Sequence, residues 1–221
     1  MSAPQPIIKV YLVDDQAMIR AAFKSLLGQN ERFEVLGDQG DPRMAIEEIV
    51  ELQPDIVLMD ITMPGLSGID AVGHLRKQGS KAKIVMLTHH EGESFVEQAL
   101  KAGADGYLSK DSDPAELVLA IEAVARGNPF LSPKVSAALV ARTRETASGE
   151  PVPRSRLESL TPREREVFQL LALGHSNKEV ARDLGMSLGT AKKHRENLQR
   201  KLDCHSAAEL ARFAIREGLL E

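Results

Sequence analysis

Asp14, Asp15 and Asp60 stand where carboxylates do chemistry. The acidic pair follows the apolar run Ile7-Ile8-Lys9-Val10-Tyr11-Leu12-Val13, and Asp60 closes Asp55-Ile56-Val57-Leu58-Met59-Asp60. Runs of this length, rich in β-branched residues, read as buried strands of a parallel sheet. Ligands of open α/β sheets bind in the crevice outside the carboxyl ends of such strands. Three negative charges crowded there repel, and burying them unpaired is expensive. A hard divalent cation resolves the conflict, and ligands that are all oxygen point to Mg²⁺. Two further strand-like runs, Ile84-Val85-Met86-Leu87-Thr88 and Gly106-Tyr107-Leu108-Ser109-Lys110, end in a hydroxyl and a cation. Together these groups suit one reaction. Asp60 attacks a phosphorus atom and carries an acyl phosphate. Mg²⁺ and Lys110 neutralise charge on the equatorial oxygens, and Thr88 hydrogen-bonds one of them.

The elements that must position these groups are legible as an alternation. Strand patterns fall at residues 7–13, 33–37, 55–59, 83–88 and 105–109, and helical spacing at 16–28, 42–52, 68–78, 93–102 and 114–126. Asp41-Pro42 and Asp113-Pro114 each put a capping side chain before a proline at the first helical position. Gly28, Gly79, Gly103 and Gly127 lie where helices should stop. Five such alternations predict a doubly wound, five-stranded parallel sheet with helices on both faces. Residues 132–145 read as one further helix, after which 146–155 lose apolar periodicity and read as a linker. Four helices follow. Thr161-Pro162-Arg163-Glu164, Ser176-Asn177-Lys178-Glu179 and Ser206-Ala207-Ala208-Glu209 match the capping box, and Ser187 is placed to cap the helix ending near Leu202. The short turn Gly185-Met186 between helices 177–184 and 188–202 predicts a helix-turn-helix. Leu160, Val167, Leu170, Leu171, Val180, Leu184, Leu198, Leu202, Leu210 and Phe213 fall at helical spacing and should form its core. The helix 188–202 carries Lys192, Lys193, Arg195, Arg200 and Lys201, which suits the major groove of DNA.

Composition agrees with two partners. Of 221 residues, 1–153 hold 15 Lys+Arg against 22 Asp+Glu, a balance of −7; residues 154–221 hold 13 against 10, a balance of +3. An acidic front and a mildly basic back predict different ligands for the two halves. The single cysteine, Cys204, excludes an internal disulfide framework and fits a reducing compartment. No apolar stretch approaches the length of about 20 residues that spans a membrane. The start, Met1-Ser2-Ala3-Pro4-Gln5-Pro6, lacks a basic segment and an apolar core. The expectation is a cytoplasmic protein without a membrane partner.

Leu12-Val13-Asp14-Asp15, Leu58-Met59-Asp60-Ile61-Thr62-Met63-Pro64-Gly65-Leu66-Ser67-Gly68, Thr88 and Gly103-Ala104-Asp105-Gly106-Tyr107-Leu108-Ser109-Lys110 resemble the receiver domain of bacterial two-component response regulators over about residues 7–128. The resemblance implies a flavodoxin-like fold with Asp60 as phospho-acceptor. It implies Mg²⁺ held by Asp15, Asp60 and the backbone carbonyl of Thr62, with Asp14 acting through water. Thr88 and Lys110 would bind the phosphoryl group, and Thr88 and Tyr107 would form a switch in which the ring moves inward. Gln16 and His89 depart from the pattern, and His89 adjoins the pocket and would narrow its mouth. His89-His90 lacks the further Cys or His that a metal site needs. Thr62 and His90 stand where the family sets its dephosphorylation rate.

Leu160-Thr161-Pro162-Arg163-Glu164-Arg165-Glu166-Val167, Ser176-Asn177-Lys178-Glu179-Val180-Ala181 and Thr190-Ala191-Lys192-Lys193-His194-Arg195-Glu196-Asn197-Leu198 resemble the helix-turn-helix domain of the LuxR, FixJ and NarL regulators. That resemblance implies that Thr190, Lys192, Lys193, His194 and Glu196 face double-stranded DNA. Ala191 replaces a more usual valine. Glu196 repels phosphate, yet an acid there accepts from a cytosine amino group. The expected layout is a receiver at 1–130, a linker helix and flexible linker at 131–157, and an all-α four-helix domain at 158–221. The expected function is transcriptional control: a sensor histidine kinase phosphorylates Asp60, and the receiver then governs homodimerisation and DNA binding. Catalysis is limited to self-phosphorylation and autodephosphorylation at Asp60. Two other readings stand beside it, an aspartate-nucleophile phosphohydrolase and a phosphate-independent protein-interaction module.

Overall fold

A computed structural model describes residues 6–88, 93–133, 135–137 and 156–216. The described residues fall into two compact units. The first runs β1 (Ile8–Val13), α1 (Ala17–Gly28), β2 (Phe33–Gln39), α2 (Pro42–Leu52), β3 (Ile56–Asp60), α3 (Gly68–Lys77), β4 (Lys83–Thr88), α4 (Glu93–Ala102), β5 (Gly106–Ser109), α5 (Pro114–Ala125) and β6 (Phe130–Leu131). Every pairing is parallel, in the order β2-β1-β3-β4-β5-β6. The doubly wound architecture is as expected, but the sheet has six strands rather than five. The added edge strand pairs Phe130 with Gly106 and Leu131 with Tyr107. Two residues are too short to display the alternation by which a strand is read from sequence.

Local chemistry explains the element boundaries. Asp41 and Asp113 each accept a backbone N–H at 2.8 Å, from Arg43 and Ala115, with Pro42 and Pro114 opening the helices. β2 extends to Gln39, two residues past its expected end. Pairing of Val10 with Val35 jumps to Tyr11 with Gly37, so Leu36 bulges and the ladder continues beyond the glycine. All five side chains of β3 are buried, as a central strand covered on both faces requires. Val10, Leu12, Ile56, Leu58, Val85, Leu87 and Leu108 pack with Leu117, Ile121 and Val124 of α5 as one core. Each such side chain contributes about 1.5–3 kcal/mol through burial.

The second unit has a 3₁₀ turn (Arg156–Ser159), α6 (Pro162–Ala172), α7 (Asn177–Asp183), α8 (Leu188–Leu202) and α9 (Ala207–Arg216). Every expected core residue is buried, and Phe168 joins them with its ring edge against Phe213 at 5.9 Å. Leu157, expected at the end of the linker, is also buried, and Arg156 Nη1 donates to the Leu202 carbonyl at 2.7 Å. The boxes at Thr161 and Ser176 close in both directions. The third is different: Ser206 Oγ accepts from Glu209 N, while Glu209 reaches past the cap to the His205 N–H at 2.6 Å. Of the helix expected at 132–145, residues 135–137 are helical, with Ser132 Oγ accepting from Val135 N. Residues 134 and 138–145 of that helix, the linker at 146–155, His89 and His90 lie outside the described residues. No described helix is long and apolar enough to cross a membrane.

Lys201 ties α8 to the start of α6, donating to Glu164 Oε2 at 2.6 Å and to the Ser159 carbonyl at 2.8 Å. Burial pushes the Glu164 carboxyl up, but Lys201 and the Thr161 N–H and hydroxyl outweigh it and hold it below the usual carboxylate range. Lys201→Met is expected to destabilise the unit by about 1–2 kcal/mol at neutral pH, read by urea unfolding. A carboxyl held low in the folded state stabilises above its unfolded pKa and loses that contribution as pH falls through the folded one. The deficit should therefore shrink in acid. A deficit independent of pH would contradict the pairing.

Candidate functional site

The strand order reverses between β1 and β3, and the crevice at such a switch point is where this architecture binds ligands. Asp14 follows β1, Asp60 ends β3, Thr88 ends β4 and Lys110 follows β5. Backbone bonds align these ends: Ile61 N donates to the Leu87 carbonyl at 3.2 Å and Lys110 N to the Thr88 carbonyl at 2.7 Å. Lys110 Nζ reaches Asp14 Oδ2 at 2.7 Å and Asp60 Oδ2 at 3.1 Å, with all three side chains at most 5% exposed. Asp15 is exposed beside them, and the three aspartates each offer an oxygen within 4.8 Å of one another. Asp60 Oδ1 accepts from the Thr62 N–H at 3.3 Å, and Asp14 Oδ1 from the Gln16 N–H at 2.9 Å. Thr88 and Tyr107 are buried.

The electrostatics of the cluster are unusual. Burial pushes Asp60 up to about 6; the Asp14 charge adds to the shift, and Lys110 opposes it. Burial and the Asp14 charge also raise Asp15. Burial works against the charged form of Lys110, but Asp60 and Asp14 outweigh it and raise its pKa. Perturbed groups in a strand-end crevice make it a candidate functional site. Three carboxylates against one ammonium leave a formal excess of two negative charges. The donor set and that excess both fit one divalent cation with oxygen ligands, as receiver domains generally bind Mg²⁺ in an acidic pocket.

Two residues shape the site that residue chemistry alone does not announce. Arg20, about one turn into α1, donates from Nη1 to the Asp14 carbonyl at 2.6 Å, while its Nε is fixed by Asp38 at 2.8 Å. Lys24 also binds Asp38 and, with Arg20, holds that carboxyl low. Gly68 donates its N–H to the Ile61 carbonyl at 2.9 Å and brings the first turn of α3 onto the end of β3. A Cβ at Gly68 would lie 1.8 Å from the Asp60 carbonyl oxygen. Arg20 looks like an ordinary charge on an amphipathic helix. Gly68 was visible only as the last residue of a motif.

In the second unit, α7 and α8 are joined by Leu184-Gly185-Met186-Ser187, with Gly185 at φ +60° and Ser187 Oγ accepting from Thr190 N at 3.1 Å. Arg195 Nη1 bridges to Asn177 Oδ1 at 3.4 Å. Thr190, Lys192, Lys193 and Glu196 are exposed on α8, opposite the buried Ala191, Leu198 and Leu202. His194 stands apart from them. It is half-buried, and its Nδ1 is enclosed with no hydrogen-bond partner among the described residues. At 100° per residue it lies on the flank of the helix that turns toward the core.

Comparisons with known proteins follow the same division. Residues 10–122 match the response regulator receiver domain, and residues 158–214 match the bacterial regulatory proteins of the luxR family. The transcriptional regulatory protein MctR of Rhizobium johnstonii is 37% identical over 216 residues, covering 98% of this chain and 97% of its own. The nitrate/nitrite response regulator protein NarP of Escherichia coli is 41% identical over 198 residues, 90% of each chain. A solved LuxR-family two-component response regulator from Aurantimonas sp. superposes with a TM-score of 0.60 at 37% identity, over 62% of this chain and 98% of that one.

Proposed function

The chain belongs to the bacterial transcriptional response regulators that join a receiver to a LuxR-type DNA-binding domain, and on that premise we propose that phosphorylation of Asp60 by a sensor histidine kinase controls its DNA binding. The observation that carries this reading is the Lys110 ammonium lying between Asp14 and Asp60 at the switch point. Asp15, Asp60 and the Thr62 carbonyl would hold Mg²⁺, with Asp14 acting through water. When bound, the ion supplies positive charge to the equatorial phosphoryl oxygens. An Asp60 carboxylate oxygen forms its bond to phosphorus as the phosphorus–nitrogen bond of a phosphohistidine breaks, and the imidazole takes up the electron pair and then a proton. Lys110 keeps Asp60 ionised for attack and afterwards neutralises the transferred group. The Thr88 hydroxyl binds one phosphoryl oxygen, and Tyr107, paired with Met86 one strand away, carries the change toward α4 and α5.

The altered receiver face then pairs two copies, whose α8 helices read half-sites about one helical turn apart or a multiple of it. Thr190, Lys192, Lys193 and Glu196, exposed on α8, form the DNA contact set, and the half-buried His194 is not among them. The relatives, transcriptional regulators matched over nearly their full length, favour this over a phosphohydrolase. An anisotropy titration on labelled duplexes, with and without acetyl phosphate and Mg²⁺, tests it. Wild type should tighten on phosphodonor treatment, Asp60→Ala should not, and affinity should fall steeply with salt. Identical binding by both proteins under all conditions would contradict the coupling.

Arg20 is the positioning residue for the metal end of this mechanism. Arg20→Met should weaken Mg²⁺ binding by about tenfold, the usual cost of removing an outer-shell partner. Calorimetric titration with Mg²⁺ reads this directly, and unchanged affinity would remove Arg20 from the site.

A further inference from the structure

We propose that Glu196 selects a cytosine in each half-site of the operator, an inference that rests on the DNA-binding reading above. Helix α8 separates two faces. Ala191, Leu198 and Leu202 are buried on one. At 100° per residue, Gly189, Lys192, Lys193, Glu196 and Arg200 form a stripe on the other, and all five are exposed. Glu196 is the middle of that stripe and its only acid. Lys192 and Lys193 precede it by one turn and Arg200 follows it by one turn, spacings at which ion pairs form on helices. Yet Glu196 makes no ion pair among the described residues. Arg200 donates instead to Asn197 Oδ1 at 3.2 Å, and Lys201 is committed to Glu164.

A carboxylate at the centre of a face that meets a polyanion repels phosphate, so its partner there is a base edge rather than the backbone. Guanine presents two acceptors in the major groove and thymine an acceptor and a methyl, all of which a carboxylate rejects. Adenine sets its N6 donor beside the N7 acceptor, which opposes a second carboxylate oxygen. Cytosine presents the N4 amino group alone, a donor whose complement is an acceptor. The lysines and arginine flanking Glu196 offset the repulsion from neighbouring phosphates and hold the helix in the groove while the acid reads that edge.

The two-domain protein, with and without acetyl phosphate and Mg²⁺, is incubated at fixed salt with a pool of random-sequence duplexes, and the bound sequences are read for wild type, Glu196→Gln and Glu196→Ala. The wild-type motif should contain one position per half-site at which cytosine binds roughly tenfold better than other bases. Glu196→Ala should lose the preference at that position alone and bind unrelated duplexes more tightly. Glu196→Gln should move the preference to adenine, whose N6 and N7 an amide pairs with. A wild-type motif without such a cytosine, or one unchanged in Glu196→Ala, overturns the assignment while leaving DNA binding intact. A wild-type protein that enriches no sequence under either condition overturns the DNA-binding reading, and this assignment with it.

Discussion

Gly68→Ala is expected to abolish phosphoryl uptake and to destabilise the receiver by about 3 kcal/mol or more, at the severe end for overpacking. The reason is backbone, not side chain. The new Cβ would sit 1.8 Å from the carbonyl oxygen of Asp60 and 2.8 Å from its carbonyl carbon. Neither atom can swing aside as a flexible side chain would, so either α3 must lift from the end of β3 or the phospho-acceptor itself must move. Both break the Gly68 N–H bond to the Ile61 carbonyl. Gly73 in the same helix is the control, because a Cβ there meets nothing within 4 Å. Gly73→Ala should stabilise by about 0.5–1 kcal/mol through helix propensity. Urea unfolding of the two variants beside wild type reads both effects. Equal stability of Gly68→Ala and wild type would contradict the close approach.

Lys110→Met should slow phosphorylation of Asp60 by about a hundredfold or more, the scale of removing one charge-stabilising group from a reacting centre. It should also cost about 3 kcal/mol near pH 8, because it leaves the buried Asp14 and Asp60 carboxylates facing each other without their cation. The sign of its pH dependence follows from Asp60. Its folded pKa, about 6, lies above the ordinary carboxylate value, so the native state holds a proton more firmly than the unfolded chain. Stability from such a group is lost as pH rises through the folded pKa. Removing Lys110 takes away an influence that lowers that pKa, so the folded value climbs further. The deficit should be smallest near pH 5 and largest above neutrality, and Mg²⁺ should restore part of it. Unfolding at pH 5 and pH 8, with a time course of intact mass in phosphodonor, measures stability and rate. An unchanged rate would remove Lys110 from the reaction.

Most of the strand-end cluster could be read from sequence because each of its groups is the residue that ends or follows an apolar run. Asp14, Asp60, Thr88 and Lys110 needed only the alternation of strands and helices to be placed at one edge. The supports were not legible in the same way. Arg20 acts through a backbone carbonyl, and nothing in the composition of α1 separates it from Lys24 or any solvated cation. The need for glycine at 68 arises from two backbones meeting across a loop, a tertiary fact without a local signal. Gln53 closes α2 in the left-handed region at φ +46°, where the sequence offers no glycine to mark the turn. Leu157 reads as linker because one apolar residue beside polar neighbours has no period, yet it is buried with the helical core. On α8 the buried positions were predicted correctly, whereas His194 sits closer to that core than a groove-facing residue would.

Asp60 is expected to take up a phosphoryl group in a site built from the other strand ends. Intact-protein mass after incubation with Mg²⁺ and acetyl phosphate, wild type beside Asp60→Ala, tests it most directly. One added phosphoryl group on the wild type, and none on Asp60→Ala, is the predicted result. The same addition on Asp60→Ala, or none on a folded wild type shown to bind Mg²⁺, would contradict it.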